Sequence, residues 1–362
     1  MGNSRSGFID FFRGIVIFDM ILVHYSKYVN VMPGFQPSKL ISYTDFAIEG
    51  FLFLSGFMLG HFYLDIFKTD PLKGCRKIVS RILEIIRIHY IMLLTISLPL
   101  VWLLGSKVTE GDTNLAYMVK SFLFMEQTGL LHILPTFIPL FILSVPALYL
   151  LRNGHRLWLL GFSLIIFIAG NINPYLFNIG ERTIFPVIVW QIFFFLGMLT
   201  GDRTGIDFDS KQLKKMIPWF VLSLIVFLSM TVFGFGHNYI EWIAQLKSDF
   251  GLQINKFPLN YLGFFYRGSL LALTFFLAFF FWKMKWIPSF LSQIVSLFGR
   301  NSLSVFVIHV YFAKLIFFYE NYFSPKTLYF SYLLVFLNIS VTIFYLKKIE
   351  RQRASSKTNP SA

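Results

Sequence analysis

Long, unbroken apolar runs dominate the chain, separated by short polar segments. Runs such as Leu270–Trp282 and Leu328–Leu346 do not alternate apolar with polar, as the strands of a barrel would. About 20 apolar residues in a helix cover roughly 30 Å of hydrocarbon. Backbone groups in lipid must be satisfied within their own element, which leaves helices as the spanning structure. Spans are expected near 8–29, 43–64, 82–104, 130–151, 157–172, 184–201, 216–234, 261–282, 302–319 and 327–346. The pattern thus predicts an all-α, polytopic integral membrane protein with about ten transmembrane helices. Met118–Met125 and Pro288–Phe298 read as short interfacial or re-entrant pieces. A multi-span domain is expected over 1–350, followed by a polar, disordered tail over 351–362.

Composition sharpens this reading. Residues of the AVILMFWYC set make up 56% of the 362 residues and charged residues only 14%, too few to cover a water-facing surface. The 46 phenylalanines suit lipid-facing helices. A net charge of +14 would suggest nucleic acid on a soluble protein. Here the basic residues sit in short loops, so topology explains them and no nucleic-acid partner is expected. Most of the 32 Lys and Arg fall in every second loop, beginning with the N-terminus, which places both termini in the cytoplasm. The N-terminal apolar run lacks a small-residue cleavage site and reads as an uncleaved first span. Cys75 is the only cysteine, so no intrachain disulfide forms.

Ionisable residues inside spans are costly and mark functional candidates. The first span carries Asp10, Arg13, Asp19 and His24. Arg13 and His24 are eleven residues apart, so they share a helix face about 16 Å apart along the axis. That face offers a cation at one end and an imidazole base at the other. The alternative is a structural Asp10–Arg13 pair with a hydrogen-bonded histidine. In the second span Asp45 and Glu49 share a face, and Ser55 follows. Glu49 lies at about the depth of His24 and is placed to orient its ring, whereas Asp45 reads as an exposed helix start. Arg267 enters its span at comparable depth, there to balance a carboxylate, bind an anionic acyl group or snorkel. His89, Gln191 and His309, each taken alone, read as packing hydrogen-bonders, and Lys314 as snorkelling. His61, His132, His155 and His237 lie near span ends or in loops. No metal-ligand spacing, Walker loop, dinucleotide fingerprint or nucleophile elbow is present.

These residues also form an ordered set of motifs. Asp10-Phe11-Phe12-Arg13-Gly14 is followed by His24, with ten residues between Arg13 and His24. Glu49-Gly50-Phe51-Leu52-Phe53-Leu54-Ser55-Gly56 opens the second span, and Arg81 precedes His89 in the third. Ile133-Leu134-Pro135, Trp190-Gln191 with Phe194-Phe195-Leu196-Gly197, and Gly299-Arg300-Asn301-Ser302-Leu303-Ser304-Val305-Phe306 follow in order. The set resembles the OpgC-type membrane acyltransferases, the osmoregulated periplasmic glucan succinyltransferase branch of the acyltransferase-3 superfamily. The likeness runs over most of the chain. It departs at His132, where the branch has aspartate, and at Val23, where the branch often does; both bear on acyl and acceptor specificity.

The resemblance implies acyl transfer from cytoplasmic acyl-CoA, succinyl-CoA or acetyl-CoA, to a sugar hydroxyl of an extracytoplasmic glycan. It places the protein in a bacterial inner membrane, with acyl-CoA as co-substrate and no permanently bound cofactor. Arg13 and Arg300 are then candidates for the CoA phosphates, and the separation of Arg13 from His24 is comparable to an extended pantetheine arm. His24 is the candidate general base, with Glu49 beside it. Gln191 and Ser55 are candidate oxyanion donors, and Asp10, Arg81, His89, Arg267 and His309 complete the candidate set. Competing readings are a related N-acetyltransferase acting on a sugar amine, a transporter or flippase for a glycan or organic anion, and a non-catalytic scaffold. A transporter often shows repeated halves, and the chain shows no repeat.

Overall fold

A computed structural model describes residues 7–26, 41, 43–104, 113–125, 131–176, 185–203, 210–235, 240–250, 252–322 and 328–358. The described residues are overwhelmingly helical, and none is in a strand. The helices are α1 (Gly7–Ser26), α2 (Ala47–Thr69), α3 (Pro71–Leu103), α4 (Asn114–Phe122), α5 (Ile133–Arg152), α6 (Arg156–Ile172), α7 (Val187–Arg203), α8 (Ser210–Phe235), α9 (Glu241–Phe250), α10 (Tyr261–Lys283), α11 (Ser289–Arg300), α12 (Ser302–Tyr322) and α13 (Leu328–Thr358).

A helix occupies each of the ten apolar stretches, but ten full spans do not result. Among the described residues five helices are long and apolar enough to cross a bilayer: α2, α3, α5, the Met216–Gly234 part of α8, and α10. A sixth arises if α11 and α12, bent by 89° at Asn301, count as one broken span. The reasons for the lower number are physical. α1 carries Asp10, Arg13 and Asp19 within its 20 residues. α6 and α7 have 17 residues each, a rise of about 25 Å, which falls short of the hydrocarbon core. In α13 the apolar stretch ends at Lys347 and Lys348, and the helix continues through Arg351 to Thr358, where the sequence suggests disorder. The ends of the first span (27–29) and of the tail (359–362) lie outside the described residues. With several helices long enough to span, the chain is a multi-pass membrane protein.

Two expected loops are helical. Residues 71–81 form the first turns of α3, because the Asp70 side chain accepts from the Lys73 N–H at 3.0 Å and Pro71 occupies the first turn. Part of the segment between α8 and α10 forms α9. The two short pieces foreseen at Met118–Met125 and Pro288–Phe298 correspond to α4 and α11.

The chain divides into two compact units, Met1–Ala47 with Leu277–Ala362, and Ile48–Phe276. In the smaller unit α1 crosses α11 at backbone contact. A Cβ built on Gly14 would lie 1.9 Å from the Val295 carbonyl oxygen, and one on Gly299 would lie 1.7 Å from that of Asp10. Only glycine permits this approach. Phe18 stacks on Phe298 at 4.6 Å, and Phe8 meets Phe279 edge-on at 5.1 Å.

In the larger unit α2 and α7 cross in the same way. Added Cβ atoms on Gly56, Gly60, Gly197 and Gly201 would fall 1.8–2.3 Å from the carbonyl oxygens of Phe194, Met198, Phe53 and Phe57. Gly60 lies in a wider π turn, Leu59–Tyr63. α3 packs along α5, and α6 along α7. The Met216–Gly234 stretch of α8 buries none of its residues, as suits a helix surface that faces lipid.

Candidate active site

Helix α1 carries the main candidates of the smaller unit, one group near each end. At its start Arg13 Nη1 lies 3.8 Å from Asp10 Oδ1, both largely shielded from solvent. The contact of Asp10 with Gly299 brings Arg300 to the same end of the unit. Arg300 donates through Nε and Nη2 to Glu350 Oε1 of α13, each at 2.9 Å. Both arginines therefore hold carboxylates, and a phosphate would have to share or displace them.

At the other end of α1, His24 Nδ1 lies 2.6 Å from Nε2 of His309 on α12. The rings are parallel within 3° and their centroids are 4.9 Å apart. The centroid separation exceeds the N···N distance by about one ring's width, so the rings meet edge to edge and the contact is a hydrogen bond. His24 is half-buried and His309 fully buried. Tyr25 stands at 90° to the His309 ring, 5.2 Å away. Its hydroxyl accepts from Asn338 Nδ2 of α13 at 2.7 Å, and Asn338 Oδ1 accepts from Thr342 at 3.3 Å. Asp19, one face round, accepts the Phe46 N–H at 2.8 Å, while Asp45, which is buried, accepts the Ala47 N–H at 3.1 Å. The exposed helix start expected at Asp45 is thus a buried cap of α2.

The larger unit contains a second charged centre. Glu49 is wholly buried, and Arg267 Nε lies 3.9 Å from its Oε1. Arg267 is buried rather than snorkelling. Ser55 is half-buried, about 9 Å along α2 from Glu49. Gln191 is committed elsewhere: its Nε2 donates to the Ser163 carbonyl at 2.8 Å, and its Oε1 accepts from the Ser163 hydroxyl at 2.8 Å. Arg156 pairs with Asp202, also joining α6 to α7. Arg81 bonds Glu84 at 2.5 Å near the exposed start of α3. His89 is fully buried against Phe124, at 4.7 Å, and its ring nitrogens have no partner among the described residues.

The motifs of the sequence meet in pairs. Asp10-Phe11-Phe12-Arg13-Gly14 meets the helix that ends in Gly299-Arg300, and the segment ending in Gly56 meets Phe194-Phe195-Leu196-Gly197. A family model described as OpgC protein matches residues 5–353. The chain belongs to the OpgC family. Membership implies a transferase, with an acyltransferase-like role in glucan modification. No curated protein and no solved structure matches the chain. In this OpgC-family chain the motif glycines Gly14, Gly56, Gly197 and Gly299 are packing residues, and Arg13, His24 and Glu49 are ionisable residues on the same helices as two of them. Tyr25, Asn338, Thr342 and Glu350 escaped the sequence reading. Of these, only Asn338 stands out in sequence, as a strongly polar residue inside an apolar run.

Proposed function

We propose that this protein is an acyl-CoA-dependent O-acyltransferase of the acyltransferase-3 type. It moves a succinyl or acetyl group from cytoplasmic acyl-CoA to a sugar hydroxyl of an extracytoplasmic glycan, across a bacterial inner membrane. The observation that carries the reading is the layout of the smaller unit in an OpgC-family chain. Two arginines lie at one end of α1 and a half-buried histidine about 16 Å along it. Arg13 and Arg300 hold CoA phosphates, and His24 faces the acceptor.

In the reaction the hydroxyl proton passes to His24 Nε2 as the oxygen attacks the thioester carbonyl. A C–O bond forms, the C–S bond breaks, and the CoA thiolate takes the proton from His24. General-base help of this kind is worth roughly 10²–10⁴-fold. Glu49 faces Arg267 and is not the base, so Glu49→Gln lowers transfer only in part. An N-acetyltransferase would use the same base on an amine.

Mass spectrometry of envelope glycans from cells with and without the protein tests the reading. An added succinyl or acetyl mass on a glycan, lost in His24→Ala cells that still insert the protein, supports it. Identical glycan masses in the two strains would overturn it.

A further inference from the structure

We propose that His309 is a positioning residue: it fixes the tautomer of His24 and receives the hydrogen bond that strengthens as His24 becomes charged. This rests on the reading of His24 as the base.

A neutral imidazole has one N–H and one lone pair. Only one proton can lie between His24 Nδ1 and His309 Nε2. If His309 donates, His24 carries its own proton on Nε2 and presents a donor to the acceptor hydroxyl. If His24 donates from Nδ1, its Nε2 carries the lone pair, the state that can take a proton. Base catalysis therefore requires His309 to accept through Nε2 and to keep its own proton on Nδ1. The edge-to-edge contact at 2.6 Å has the geometry for this.

The surroundings hold His309 in place. Its ring is fully buried, and Tyr25 stands perpendicular to it. Tyr25 is in turn anchored by Asn338, which Thr342 bonds one turn on. Three helices, α1, α12 and α13, thus fix one imidazole whose only polar contact among the described residues is His24. When His24 Nε2 takes the hydroxyl proton, its Nδ1–H becomes a charge-assisted donor to His309, and such bonds are roughly twice as strong as neutral ones. The proton then leaves on the CoA thiolate, and the pair returns to its starting state.

The experiment uses the purified full chain in detergent, with release of CoA thiol from succinyl-CoA, and from acetyl-CoA in parallel, in the presence of an envelope glycan extract. His309→Ala should lower kcat roughly 10–100-fold with KM for the acyl-CoA unchanged. His309→Gln offers an amide oxygen near the position of Nε2 and should recover most of the rate. His309→Asn is shorter, leaves the oxygen out of reach, and should stay slow. His24→Ala combined with His309→Ala should be no slower than His24→Ala alone, because the two act as one unit. Equal rates for the folded Gln and Asn variants, or additive losses in the double variant, would overturn the proposal, even where the Ala variant fails to fold. A His24→Ala protein that turns over normally would overturn the base itself, a separate result.

Discussion

A carboxylate with no exposed surface is costly unless a cation balances it, and the Glu49–Arg267 pair has that form. Removing one partner leaves the other charge buried. Glu49→Gln should therefore cost about 3 kcal/mol of unfolding free energy in detergent micelles. Replacing both partners, as Glu49→Leu with Arg267→Met, should recover most of the loss, since an apolar pair of similar volume is tolerated. A single variant as stable as the parent would show that the pair carries no such burden. Gln191 calls for a different expectation. Its Oε1 accepts from the Ser163 hydroxyl, and its Nε2 donates to the carbonyls of Ser163 and, at 3.4 Å, Ile188, so both N–H groups are committed in this state. Gln191→Leu should lose about 1 kcal/mol of stability, within the range for polar contacts between membrane helices. It should not show the roughly 10²–10³-fold fall in kcat expected for an oxyanion donor. A fall of that size in folded protein would restore Gln191 to the site.

Among elements, the two glycine crossings set the helix positions. A side chain at Gly197 would meet the Phe53 carbonyl oxygen at 2.0 Å, and backbone cannot retreat as a side chain can. Gly197→Leu should destabilise by more than about 3 kcal/mol, above the usual cost of overpacking. Gly161, in α6, has nothing within 4 Å of an added Cβ. Gly161→Ala should be neutral or gain up to about 1 kcal/mol. Thermal unfolding of both variants side by side checks the contrast, and a harmless Gly197→Leu would sink it. The same crossing shows what the sequence could and could not reveal. Helix positions were readable because apolar length is a local property. The Gly56-x-x-x-Gly60 and Gly197-x-x-x-Gly201 spacings were also present, a known sign of close helix pairing. The early starts of α3 and α4 were hidden because caps, Asp70-Pro71 and Thr113, not hydropathy, begin them. The partner of His24 was hidden for another reason: His309 is 285 residues away, and no local pattern encodes a tertiary contact.

At the scale of the whole molecule, basic residues beside the spans govern orientation. Lys73, Arg76 and Lys77 lie on the first turns of α3, directly after α2, with Lys73, Arg76 and Lys77 exposed. Positive charge flanking a span is retained on the cytoplasmic side. The α9 segment, by contrast, mixes Glu241 and Asp249 with Lys247 and carries no such excess. The start of α3 should therefore be cytoplasmic and α9 outside. Cys75, the sole cysteine, is replaced by serine to give a silent background. Ser80 and Ser248 are exposed and are changed to cysteine one at a time. In cells with a permeabilised outer layer, an impermeant maleimide should label Ser248→Cys and spare Ser80→Cys. In inverted membrane vesicles the pattern should reverse. Labelling of Ser80→Cys from outside would invert the topology, and with it the side proposed for the acyl donor. Equal labelling of both positions in intact cells would place α3 and α9 on one side. It would then require a number of crossings between them different from the one that the loop charges imply.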